Sequence, residues 1–438
     1  MRRRLLIAAG VALVLLAVGA LAAYLLVQEQ GENVRGSSTE EFVASDPPDA
    51  PTATATPETE PEETEPEEPP EGEASEEIPG VVWPTFRFTA DRTGVAPFRH
   101  RPPYRRIWMF RARNLIEFPP AVAYGRLYFT NNSGVLFAVN AQTGKRAWRY
   151  ESGRCVASSP AVSNHVVIQT FLMRPPCKRE TVRGLTGEVV AFAAGFGRIR
   201  WRRTIAPTES SPLVANGIVY VGDWRGVVHA LDERTGETRW TFRTRGQIKG
   251  ALALSGNLLV VGSYDHHVYA LDARNGRLRW RAGAIERALY RRGTFFSTPA
   301  IAHGRVYVGS TDGRVYSLGA QSGQVRWVRA TGGYVYSSPA VWNRTVYVGS
   351  YSGRFFALDA ATGDVRWEFR ANGPVSGSPT VMNGVVYFST LEERTYGLDA
   401  RTGRRLWSFP DGKYSPVVAD TERVYVVGHA RVYGMVPG

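Results

Sequence analysis

The chain has 438 residues, 43% hydrophobic and 11% aromatic, enough to bury a large core, and its 45 glycines and 11 tryptophans speak for an all-β repeat and against a helical bundle. A formal charge of +13 conceals a division of sign: residues 28–80 hold 17 acids and one base, Arg35, whereas 49 bases face 23 acids from residue 81 onward. Only four of those 49 are lysine, an Arg excess that reflects either a GC-rich genome or attraction to anionic polymers and lipid headgroups.

In chain order, Arg2, Arg3 and Arg4 precede an uncharged run, Leu5 to Val27. At ~1.5 Å per residue this run spans roughly 34 Å, enough for one transmembrane helix. The basic cluster stays in the cytoplasm, so residues 1–27 are read as a single-pass anchor of the cell membrane and the rest as extracytoplasmic. Export leaves no role for nucleic acid as a partner. Ala20-Leu21-Ala22 resembles a cleavage site, but the apolar run continues through Tyr24 to Val27, which favours a retained anchor. A lipid anchor would need a Cys just after the run, and the first is Cys155.

Residues 28–80 are rich in Pro and Glu and have almost nothing apolar to bury, so a disordered acidic linker is expected. Its plainest role is a spacer; a tail folding back onto the basic head is the alternative, and high salt would lengthen it.

From residue 81 the chain repeats. ALDERTGETRW, ALDARNGRLRW, ALDAATGDVRW and GLDARTGRRLW close successive units. Their last residue recurs as Trp108, Trp148, Trp201, Trp240, Trp280, Trp327, Trp367 and Trp407, at spacings of 40, 53, 39, 40, 47, 40 and 40. A period near 40 with four short strands is the signature of a propeller blade. The unit from Ser210 parses as an inner strand after Ser-Ser-Pro, an Asn216-Gly217 turn, two further strands, a turn from Asp232 to Gly236, and an outer strand through Trp240. The inner-strand signal recurs at Ser158-Ser159-Pro160, Ser297-Thr298-Pro299, Ser337-Ser338-Pro339, Gly377-Ser378-Pro379 and Tyr414-Ser415-Pro416; Phe118-Pro119-Pro120 and Lys249-Gly250-Ala251 are degraded copies.

The pattern Ala-x-Asp-x-x-Thr-Gly-x-x-x-Trp resembles the docking motif of pyrroloquinoline-quinone-like (PQQ-like) propeller repeats. Trp-Asp repeats fit worse, since no Asp follows any of the eight Trp. The resemblance, over about residues 82–438, implies an all-β, eight-bladed propeller of four-stranded antiparallel blades occupying residues 81–438, with the eight Trp as structural docking residues between blades. The last unit, Tyr414 to Val436, ends before any Trp, and Trp108 precedes the first full blade. The strand through Trp108 is therefore expected to complete the blade begun at Tyr414. WPTFRFTADRTG, from Trp83, resembles the lead-in of such propellers.

Quinone-dependent dehydrogenases share this repeat, but their adjacent Cys-Cys pair is missing here. No cofactor, metal or catalytic residue is expected. Cys155 and Cys177, in an oxidising setting, are read as a structural disulfide. His266 and His267 are adjacent, and neighbouring strand residues face opposite sides, so they do not chelate one ion. Two insertions are the candidate partner-binding loops: Phe171 to Gly184, with Arg174, Lys178, Arg179 and Arg183, and Ala284 to Phe296, with Arg287, Tyr290, Arg291 and Arg292. By resemblance to the propeller lipoprotein of the outer-membrane β-barrel assembly machinery, a monomeric scaffold binding envelope proteins is expected. A binder of anionic envelope polymers or lipids is the alternative, and a quinone-dependent dehydrogenase a third reading.

Overall fold

The computed structural model describes residues 18, 33–37, 80–177, 183–285, 293–415 and 417–438. The expected membrane helix, apart from Val18, and nearly all of the acidic linker lie outside the described residues. Among the described residues no helix is long and apolar enough to cross a membrane.

The strands form eight sheets arranged as propeller blades. Blade 3 shows why the repeat folds as it does. Leu213–Ala215, Ile218–Gly222, Val227–Asp232 and Thr238–Arg243 pair in order as antiparallel neighbours. Their apolar residues pack on the sheets of the adjoining blades, so both faces of the blade are buried. At the last turn the Asp232 carboxylate accepts the amides of Arg234 and Thr235 at 3.0 and 2.9 Å, and Gly236 takes φ 74°. The first and third turns of each blade lie at one end of the ring. The second turn and the link to the next blade lie at the other.

Between blades the core is a series of apolar layers, such as Val190, Phe192 and Tyr128 between blades 1 and 2. Each layer is fastened by an indole. Nε1 of Trp148, Trp201, Trp240, Trp280, Trp327 and Trp367 donates to a turn carbonyl of the next blade (Ala194, Glu233, Ala273, Ala320, Ala360 and Ala400) at 2.7–3.0 Å. A tyrosine hydroxyl often shares the acceptor: Tyr307 donates to Ala360 at 3.1 Å beside Trp327.

The ring closes between its two ends. Tyr104–Arg111 pairs antiparallel with Arg431–Pro437 and becomes the outer strand of blade 8, after Val417–Ala419 and Val424–Val427. This arrangement accounts for one irregular fastener. Blade 8 borrows its outer strand, so it has no third turn to receive Trp407. That indole packs edge-on to Tyr104 at 5.4 Å and beside Phe409.

The lead-in blocks the axis. Val81–Trp83 pairs with the inner strand of blade 1, and Val95–Ala96 runs parallel to that of blade 7. Between them, the carbonyls of Pro84, Ala90, Asp91, Thr93 and Gly94 accept amides of Val162, Leu254, Ile301, Val341 and Val381 at 2.7–2.9 Å, in blades 2, 4, 5, 6 and 7. Thr85 Oγ1 reaches the Pro212 carbonyl of blade 3 at 3.1 Å. The axis-facing edges of the inner strands would otherwise carry unpaired donors. Arg87 and Arg92 are buried in this plug, and their guanidiniums bond the carbonyls of Pro379, Pro339 and Leu252.

One piece of the N-terminal region is placed. Val34 bridges Val328 on the outer strand of blade 5, Arg35 Nε stands 2.9 Å from Asp364, and Arg305 donates to the Ser37 carbonyl at 2.6 Å. This strap lies toward the end that carries the first and third turns.

Candidate functional site: an axial cup

At the opposite end, above the plug, the axis opens into a cup of about 230 Å³. Its wall comes from the residue four before the start of each inner strand, which in blade 4 places Lys249 ahead of a signal read as Gly250-Ala251-Leu252 and not within it. That position holds Glu117, Glu209, Lys249, Phe296, Tyr336 and Ser376 in blades 1, 3, 4, 5, 6 and 7. Trp83, Phe86 and Arg87 form the floor, and a ring of hydroxyls, including Ser211, Thr298, Ser338 and Ser378, lies lower in the wall. The repeat preserves its fasteners and varies this one position, where side chains converge on a common space.

The two halves of the cup differ. On one side Lys249 Nζ is 3.0 Å from Glu209 Oε1, which also accepts Trp224 Nε1 at 2.9 Å. The same ammonium lies 4.6 Å from the Trp224 ring centroid and 5.3 Å from that of Tyr264. Burial raises the Glu209 carboxyl above the usual range, opposed by Lys249 and by the Lys249 and Trp224 hydrogen bonds. Glu117 has no such partners: among the described residues its carboxylate makes no hydrogen bond or ion pair. Burial, then Glu209, pushes it up to about 7 against the pull of Lys249. On the other side is an aromatic wall. Phe296 meets Tyr336 at 4.9 Å, Tyr336 meets Tyr351 at 4.9 Å, and Tyr414 completes the arc toward Glu117.

The expected binding loops leave from the cup's end of the ring. The first is a second-turn insertion of blade 2, and the second is the link between blades 4 and 5. Cys155 and Cys177 form a disulfide that ties the first loop down, and Cys155 packs with Met173 and Trp224 beside Phe118 at the cup's edge. Arg174 and Arg183 are exposed there. Lys178, Arg179, Arg287, Tyr290, Arg291 and Arg292 lie outside the described residues. The second loop returns through Phe295, buried against Tyr316, to Phe296 in the wall. His266 sits in a turn at φ 72° and His267 begins a strand; among the described residues no three His, Cys, Asp or Glu cluster for a metal. The cup residues were missed from sequence, although aligning the units on Ser-Ser-Pro exposes the variable position before it.

Fold and axial cup define an eight-bladed propeller with one mouth plugged and the other open. The family model described as "Outer membrane protein assembly factor BamB" matches residues 105–184, 185–334 and 330–435, and the chain belongs to that family. Among curated relatives, BamB of Salmonella typhimurium is 26% identical over 223 residues, 39% of this chain and 57% of that protein. The serine/threonine-protein kinase AfsK of Streptomyces griseus is 31% identical over 158 residues, 32% of this chain and 18% of the kinase. The matched regions thus span less than two thirds of these relatives' lengths. Among solved structures, BamB from Moraxella catarrhalis has a TM-score of 0.60 at 18% identity, covering 76% of this chain and 100% of that one. The quinohemoprotein alcohol dehydrogenase ADHIIG from Pseudomonas putida has a TM-score of 0.69 at 15% identity, covering 82% and 80%. At these identities the likeness is one of fold.

The described residues do not suit the quinone that such dehydrogenases use. Pyrroloquinoline quinone is a tricarboxylate. Here the wall offers it the free carboxylate of Glu117, while the Lys249 ammonium is held by Glu209. The Arg87 nitrogens are directed at the carbonyls of Arg92, Pro379 and Pro339.

Proposed function

We propose that the chain is a non-catalytic binding propeller of the cell envelope, held to the membrane by residues 1–27 and engaging a protein partner through the end that carries the cup. One observation carries this reading: cup, disulfide-pinned loop and second insertion share one end of the ring, while the lead-in enters at the other and the Asn33–Ser37 strap lies toward it. Loops on a rigid scaffold are where binding concentrates. Relatives named as outer membrane assembly factors support a role among envelope proteins. The direct test places a photo-crosslinking residue at Arg174 or, on the opposite end, at Arg234, in intact cells. A discrete adduct from position 174 and none from 234 is expected; equal labelling from both ends would overturn the assignment of the binding face.

The second reading, a binder of anionic envelope polymers, draws on the 49 bases against 23 acids beyond residue 80. It requires retention on such polymers that weakens steeply with salt.

A further inference from the structure

We infer that the axial cup is a binding site for an organic ammonium group, held by the Glu117 carboxylate against the rings of Tyr336, Tyr351 and Tyr414. This goes beyond the scaffolding role and does not rest on it.

Three observations converge. First, Glu117 is the charged group of the cup whose bonding capacity is unspent. The Lys249 ammonium and the Glu209 carboxylate hold each other at 3.0 Å, and Arg87 is committed to carbonyls in the floor. A half-buried carboxylate beside an aromatic wall, with no hydrogen-bond or ion-pair partner among the described residues, is held toward its protonated form, and a cation bound there would favour its charged form. Second, the cup already contains a filled version of such a site. Lys249 lies against the rings of Trp224 and Tyr264 with the Glu209 carboxylate as counter-ion. Glu117 with the tyrosine arc repeats the carboxylate and the aromatic faces of that combination across the cup, and among the described residues no cationic side chain bonds its carboxylate. Aromatic faces attract ammonium cations through their quadrupole, most strongly where water is displaced. Third, size sets the class. The cup's 230 Å³ leaves room for an ammonium head with a short chain. The ammonium has two sources, a small free amine or a lysine side chain presented by a protein.

The test uses the full chain in a nonionic detergent, titrated with choline and with its uncharged isostere 3,3-dimethylbutan-1-ol. Binding is read by calorimetry and by the fluorescence of Trp224. Choline is expected to saturate and the isostere to bind about tenfold or more weakly. Glu117→Gln should lose about tenfold in choline affinity near pH 7.5 with a melting temperature no lower than the parent's. Should that variant unfold, Tyr336→Ala supplies the same comparison through the aromatic wall, with a several-fold loss expected. Choline affinity should rise between pH 6 and 8 in the parent and stay flat in Glu117→Gln, the other groups facing Glu117 being Glu209, Lys249, Arg87 and the tyrosines. Equal binding of cation and isostere, no saturation by about 50 mM choline, or full affinity in Glu117→Gln would each overturn the site. An N-acetyl-lysine amide identifies the source: tighter binding than choline supports a protein side chain, and weaker binding supports a free amine.

Discussion

Nε1 of Trp108 donates to the Ala141 carbonyl at 3.1 Å, so an indole of the borrowed outer strand in blade 8 fastens directly onto blade 1. The strand through Trp108 is thus both the last strand of the last blade and the lock between the ends of the ring. Deleting residues 1–80 should leave the melting temperature nearly unchanged, whereas deleting 1–115 should lower it severely. Trp108→Ala should fall between them, costing about 2–4 kcal/mol. Equal melting temperatures for the two truncations would refute closure by this strand.

The docking turns admit only glycine. At Gly363, with φ +76°, an added Cβ would sit 2.7 Å from Cδ2 of Trp327. Gly363→Ala should cost about 2 kcal/mol or more, since backbone strain and a blocked indole act together. Gly125 has φ +68° and nothing within 4 Å, so Gly125→Ala isolates the backbone share at about 1 kcal/mol. Chemical denaturation of both variants measures the difference; equal losses would show that the Trp327 contact does not matter.

The plug depends on buried guanidiniums. Burial is the main reason the Arg92 guanidinium is lowered to about 9, and it remains charged at neutral pH. Its Nε donates to the Leu252 carbonyl at 2.9 Å. Arg92→Met leaves buried acceptors unpaired, and about 2–4 kcal/mol should be lost. Amide exchange should quicken first at Leu254 and Ile301, whose protons go to the neighbouring Ala90 and Asp91 carbonyls. Arg243→Met, on an exposed outer strand, should change stability by less than about 0.5 kcal/mol.

Glu117 links stability to pH. Its carboxyl, pushed up to about 7 in the fold, stays protonated where the unfolded chain has already released the proton. The unfolded state binds fewer protons across that window, so stability should fall as pH rises from about 5 to 7. The loss is on the order of 2 kcal/mol, and Glu209, also raised by burial, adds in the same direction. Melting curves of the parent and Glu117→Gln over this range test the assignment: the variant should show a shallower slope, and identical slopes would place the titration elsewhere.

The sequence showed the blades because Trp, Gly and Asp recur wherever one blade meets the next, and packing of that kind repeats with period. It also showed where the period fails, at Tyr414 to Val436, which pointed to the exchanged strand. It did not show that Trp407 lacks the turn its seven counterparts reach, because that follows from the exchange in three dimensions. Nor did it show the cup. Glu117, Glu209 and Tyr336 are far apart in the chain, share no motif, and meet only because each precedes an inner strand. The path of residues 84–94 was illegible for a similar reason. Its backbone carbonyls make most of the blade contacts, and they are the same in any sequence.

The shared sheet of blade 8 also has a temporal meaning. Residues 104–111 leave the ribosome long before their pairing partner, 431–437, has been made. Blades 1 to 7 can gather while synthesis continues, but the circle stays unlatched until residues 431–437 have emerged. Contacts of such long sequence separation form slowly, so closure is a late step in assembly of the ring, and a product cut short before residue 431 would be left with an exposed seam on each side of the gap.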